Sequence, residues 1–229
     1  MTSISIDAGL TDFARQLQAR AIAEGVMLGD WSFQVGTDGY DMGTPTLAED
    51  VDPSLQVLGA PVGGSRLLGR ALTSGAAASV TLISPGVFEV SGLAAIPSMI
   101  YRRWLSISGS ADPLLNGTWL ITSWVSATTV RIYNPLATAG DAGPLAWTLR
   151  SSVALSPNPR ATAFHARLEA VDATVDGLTL GEIGIFGRVL RAPSDPGIVG
   201  NAFLFATTHH AAIVKAPGVF LTFFICVQS

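Results

Sequence analysis

The stretch NGTWLITSWVSATTVRIYN, residues 116–134, reads as two β runs folded back on each other, with the turn at Ser126 to Thr128. Aromatic and β-branched residues dominate both arms, and small polar residues mark the turn. Trp119 and Trp124 are five positions apart, so regular pleating places them on opposite faces. Outward from this hairpin the same style continues. VTLI (80–83), FEV (88–90), WLSIS (104–108) and LAWTL (145–149) are short β runs separated by SPG, ADPLLNG and NPLATAGDAGP. Four of the five tryptophans fall here, at 104, 119, 124 and 147. A tryptophan buries on the order of 200 Å², so this density predicts a self-contained all-β module over 78–150, sandwich-like or barrel-like.

The flanks have another character. Leu10, Phe13, Ala14, Leu17 and Ala21 recur at helical spacing, with Asp7 as the expected cap and Gly25 as the terminator. A short strand is expected at Trp31–Val35, a second helix over Thr46–Leu58 and a loop over 59–70. Beyond a Ser/Pro-rich connector at 151–160, FHARLEAV (164–171) alternates. Phe164, Ala166, Leu168 and Ala170 face one way, and His165, Arg167 and Glu169 the other. LTLGEIGIFG (178–187), NAFLFATT (201–208), AAIVKAP (211–217) and VFLTFFICV (219–227) complete the strands. The expected class is α+β and mainly β. An N-terminal helix packs on a mostly antiparallel sheet built from 1–77 and 151–229, and the 78–150 module is inserted into it.

Composition narrows the function. Charged residues are 13%, the formal net charge is -4 and mean hydropathy is +0.44. Few charges leave little repulsion against association and suit a subunit that buries surface against partners. No basic stripe points to nucleic acid. The final apolar run is shorter than the ~20 residues a membrane helix needs. Cys226 is the single cysteine and reads as a small core hydrophobe.

Chemical motifs are sparse. Gly59 and Gly64 have the spacing of a phosphate loop, but Ser65 and Arg66 stand where the lysine and hydroxyl belong. Asp38, Asp41, Glu49, Asp50 and Asp52 lack calcium-loop register. Adjacent His209 and His210 point to opposite faces of a strand and cannot share a metal there. The sequence carries no GxSxG, no HExxH and no Cys/His dyad. The expectation is therefore a non-enzyme without metal or cofactor. Glu182 sits among Leu180, Ile183, Ile185 and Phe186, with Gly181 and Gly184 leaving room for a close partner. It is expected to be tied to an arginine or to backbone N–H groups. Glu182, His209, His210 and Lys215 are the interaction candidates.

Several of these segments resemble the tail-collar fibre family of tailed bacteriophages. FQVGTDGYDMGTPTLAEDVDPSLQVL (33–58) is similar to that family's strand, glycine turn and Pro/Thr-led segment, although VGTDG departs from the usual turn. Glu182, Ile183, Gly184, Ile185 and Phe186 match its E-I-G-(L/I)-F strand, and Lys215 its lysine before a terminal apolar strand. The likeness covers about 1–75 and 155–229. The 116–134 hairpin followed by GPLAWTL (143–149) resembles small β modules of phage structural proteins. The resemblance implies a structural virion protein of a tail baseplate, collar or fibre adaptor. Such a protein is assembled in the bacterial cytoplasm and docks on other tail proteins as a homo-oligomer, commonly a trimer, without nucleic acid or membrane insertion. Two other functions stay open. One is a carbohydrate-binding module on Tyr101, Trp104, Trp119, Trp124, Tyr133 and Trp147. The other is a cell-envelope hydrolase, which needs two convergent carboxylates.

Overall fold

The computed structural model describes residues 2–40, 42–44, 48–69, 71–96, 98, 103–151 and 161–228, with backbone alone for 2–7, 161–163 and 228. It is 55% strand and 10% helical, which makes the protein mainly β. The strands are β1 (Thr2–Leu10), β2 (Met27–Gly36), β3 (Pro61–Leu67), β4 (Ala71–Ser84), β5 (Val87–Ser91), β6 (Trp104–Ser108), β7 (Gly117–Ser126), β8 (Thr129–Tyr133), β9 (Asp141–Arg150), β10 (Ala161–Leu168), β11 (Thr179–Arg191), β12 (Ala202–Val214) and β13 (Leu221–Gln228); helix α1 is Asp12–Glu24.

Two sheets result. One has seven strands in the order β10-β13-β1-β12-β11-β2-β3. Its β1–β13 pair is parallel and its other pairs are antiparallel. The second sheet is a closed barrel, β4-β5-β8-β7-β6-β9, whose strands are consecutive in the chain. They lie between β3 and β10, the two edge strands of the seven-stranded sheet. That sheet curls until its edges approach. Gly69 N–H, just past β3, donates to His165 O of β10 at 2.9 Å. Arg66 of β3 pairs with Asp172, just past β10, at 2.5 Å. Curling shields the backbone groups that edge strands otherwise expose.

Helix α1 covers one stretch of the sheet. Asp7 lies in β1, so it does not cap; Thr11 does. Its hydroxyl oxygen accepts from Ala14 N–H and donates to Leu204 O at 2.7 Å. Gly25 ends the helix in the left-handed region, φ 72°. Ala14 and Leu17 enter the core, and Phe13 stays half exposed with its ring edge-on to Phe203 at 5.9 Å. Inside, Trp31 gathers Phe164, Phe203 and Phe205 in tilted and edge-to-face contacts.

The hairpin 116–134 folds as expected. Trp119 is buried, with Nε1 bonded to Leu115 O, and Trp124 stays 40% exposed. Asn134 directly follows β8 and is fully buried. Its side chain accepts from Leu136 and Ala137 N–H and donates to Leu114 O. Two further local expectations fail. The described part of Thr46–Leu58 is irregular, with one isolated bridge, Tyr40 to Ala48. Residues 59–70, read as a loop, contain β3, because β2 supplies its hydrogen bonds. The 152–160 connector, Tyr101, Asp41 and Thr46–Leu47 lie outside the described residues.

Candidate functional site

The EIGIF strand is the hub of the sheet's outer face. In β11, Glu182 stands opposite Gly36 of β2 on one side and His209 of β12 on the other. Described residues of the connection between β2 and β3, among them Asp38, Tyr40, Glu49, Gly59 and Ala60, lie against these positions. Glu182 is 1% exposed, and no arginine among the described residues meets it. Its carboxylate accepts instead from two successive backbone N–H groups, Gly59 at 3.0 Å and Ala60 at 2.8 Å. This is the backbone alternative of the two expected for Glu182.

Glycines make the close approach possible. A Cβ on Gly36 would lie 1.9 Å from Glu182 Oε1, and a Cβ on Gly181 would lie 2.2 Å from the Tyr40 ring and 2.3 Å from Asp38 O. His209 adds a second fastening, its Nδ1 3.2 Å from Glu49 O. The expected helix at 46–58 loses to this arrangement. Asp52 starts a turn by accepting from Ser54 N–H at 2.8 Å, and Pro53 follows it. The segment's backbone groups then find partners outside any helix: Glu49 N–H donates to Gly39 O, Glu49 O meets the His209 ring, and Pro53 O accepts from Asp12 N–H at the start of α1.

Lys215 directly follows β12 and is 0% exposed. Its ammonium donates to Asp172 O at 3.1 Å and to the Asp176 carboxylate. The turn it holds also carries the Asp172–Arg66 pair that closes the sheet edge. Burial alone would raise the Asp172 carboxyl, but hydrogen bonds from Arg66 and Thr174 hold it below the ordinary carboxylate range.

His210 points away from His209, as strand geometry requires, but it is not a surface group. It is 6% exposed, tilted against Phe223 at 5.7 Å. Nδ1 donates to Ala211 O at 2.8 Å, and Nε2 has no partner among the described residues. Burial pushes this imidazole below its usual value of 6.5, aided by the charge of His209 and opposed by the Ala211 carbonyl. A depressed histidine stays neutral in the fold while the unfolded chain takes up a proton below about pH 6.5, so stability is lost as pH falls through that value. Each pH unit in that window costs up to about 1.4 kcal/mol. We expect urea midpoints to fall between pH 7 and pH 5.5, and His210→Phe to flatten that slope. An unchanged slope contradicts the assignment.

Glu182 and His209 therefore come together, whereas His210 and Lys215 lie elsewhere. The roles these four side chains carry here are intramolecular. The acid partners Asp172 and Asp176 and the Asp30–Arg188 pair (3.4 Å) were not singled out from sequence. Of the six aromatic candidates, Trp119 and Trp147 are inside the barrel, Trp104 and Tyr133 are half buried, and Trp124 is the exposed ring among those described. An apolar cleft of about 460 Å³ lies between α1 and β12, lined by Phe13, Leu55, Val57, Val189, Ile198 and Phe203. Among the described residues, no group of three or more His, Cys, Asp or Glu could hold a metal ion, and no helix is long and apolar enough to cross a membrane. The chain matches no protein-family model, no curated protein and no solved structure.

Proposed function

We propose that this chain is a structural virion protein of a phage tail, a baseplate, collar or fibre adaptor. In this reading it docks on neighbouring tail proteins and on copies of itself, as a trimer. The 71–150 barrel is an inserted module carried on the docking sheet. The observation that supports the reading best is apolar surface left bare on a weakly charged chain. Val57 is 64% exposed and Phe13 41% exposed at the rim of the 460 Å³ cleft. On the barrel, Leu120, Trp124 and Val125 are each 40% exposed or more. Contiguous bare apolar surface marks interaction faces, and burial there contributes about 25 cal/mol per Å². Most charged groups beside the polar clefts are paired, as Arg66–Asp172, Arg167–Glu169 and Arg188–Asp30, and Arg150 spends its donors on Ser106 and on the Leu67 and Gly69 carbonyls. Shape and apolar contact are left as the means of recognition.

Light scattering on the purified chain tests this. We expect an oligomer at micromolar concentration, trimeric in mass, and Val57→Glu to shift it toward monomer. A wild-type chain that stays monomeric overturns the proposal.

A further inference from the structure

Where the barrel meets the sheet, a second cleft of about 430 Å³ opens. Asp30, Ser32, Ser65 and Arg188 come from the sheet side, and Ser108 and Thr148 from the barrel side. Asp30 is the centre. Its φ of 51° is the one positive value among the described non-glycine residues, a conformation that costs free energy and clusters at functional sites. Its side chain is 10% exposed. Oδ1 accepts from Thr118 N–H at 2.9 Å, which docks the barrel, while Oδ2 faces Arg188 Nε at 3.4 Å. Burial holds this carboxyl above the ordinary range, outweighing the Thr118 N–H and the Arg188 charge.

The rest of the lining is polar: Ser32 and Thr148 are half-buried, and Ser65 and Ser108 stand exposed at the rim. The hydroxyls of Ser32, Ser65, Ser108 and Thr148 bond to no described residue, and neither do the terminal guanidinium nitrogens of Arg188. Asp30 and Arg188 cancel in charge, so the cleft offers little to an ion. A hydrocarbon would bury the hydroxyls unpaired, at a cost. A ligand with adjacent hydroxyls suits both needs, because each hydroxyl donates and accepts. It can donate to Asp30 Oδ2, accept from Arg188 and exchange hydrogen bonds with the serines. The volume lies at the low end of the ~300–1,000 Å³ range of small-ligand clefts. We infer that this junction cleft binds a neutral polyhydroxylated ligand of one or two sugar rings, held by Asp30, Arg188 and the surrounding hydroxyls. Trp147 contributes to the cleft wall, the exposed Trp124 does not line it, and the inference is independent of the assembly role.

The test titrates the full chain with glucose, galactose, N-acetylglucosamine and rhamnose, and separately with inorganic phosphate, by saturation-transfer NMR and calorimetry. We expect at least one sugar to bind with a dissociation constant on the order of millimolar, as befits so few atoms. Asp30→Asn keeps an oxygen for Thr118 N–H and tolerates the left-handed backbone, and should weaken binding about tenfold. Ala146→Trp, at an exposed position in the cleft, should abolish it, and Trp124→Ala should leave it unchanged. The inference is overturned if no sugar binds at tens of millimolar, if phosphate binds and sugars do not, or if Trp124→Ala abolishes binding. It is also overturned if Ala146→Trp, shown folded by circular dichroism, binds sugar as the wild type does. All readouts are on the isolated chain, so they fail separately from the oligomer measurement.

Discussion

Asp176→Asn is expected to destabilise the protein by about 3–5 kcal/mol, the range for stranding one member of a buried ion pair. The effect should be lopsided. Lys215 is 0% exposed, whereas Asp176 is 17% exposed. Removing the carboxylate leaves an ammonium sealed in the fold, with Asp172 O as its one remaining acceptor among the described residues. Removing the lysine leaves a carboxylate that can turn to water. Lys215→Met should therefore cost less than Asp176→Asn, and the double variant should recover part of the loss. Urea denaturation of the three variants measures this. Equal single effects that simply add would show that the pair is not the buried contact described. The affected region is also defined: Gly177 N–H bonds to Lys215 O, and Arg66 joins the same turn through Asp172. Hydrogen exchange should accelerate at residues 172–178 first.

Gly36→Ala is expected to behave like Glu182→Ala. A methyl at position 36 would sit 1.9 Å from the carboxylate oxygen and drive it off Gly59 and Ala60. Each stranded backbone donor costs about 1–3 kcal/mol, so either variant, which strands two, should lose about 2–6 kcal/mol. Glu182→Gln keeps one acceptor oxygen and should lose roughly half as much. The double variant Gly36→Ala/Glu182→Ala should lose little beyond Glu182→Ala alone, since the clash and the contact involve the same atoms. Amide exchange at Gly59 and Ala60 should rise in all of them, with the barrel strands unaffected. Additive losses, or unchanged protection at those two amides, would remove Glu182 as the fastening of the 37–60 segment.

What could be seen beforehand followed the range of the forces involved. The 116–134 hairpin, the Gly25 helix end and the alternation of FHARLEAV all depend on neighbours within a few residues. Phe164, Ala166 and Leu168 are buried as that alternation requires. The helix expected at 46–58 shows the opposite case. Its apolar spacing is present, with Leu55 and Leu58 in it, yet a turn at Asp52 and contacts from distant strands outcompete it. The glycine-rich 59–70 stretch lacks strand propensity of its own and becomes β3 because β2 and the Glu182 carboxylate present partners to its backbone.

Taken alone, the sequence determined a mainly β chain with an N-terminal helix ending at Gly25, a tryptophan-rich run of short strands and a Glu182 among apolar neighbours that calls for a partner. Periodicity and turn chemistry are written locally, so they survive without coordinates. Which groups meet was decided only by tertiary closure. Glu182 reaches Gly59 across 123 positions, Arg66 reaches Asp172 across 106, and Asp30 reaches Thr118 across 88. Local patterning specifies that a buried carboxylate must be satisfied. Only the curl of the sheet and the seating of the barrel against it bring in the atoms that do so.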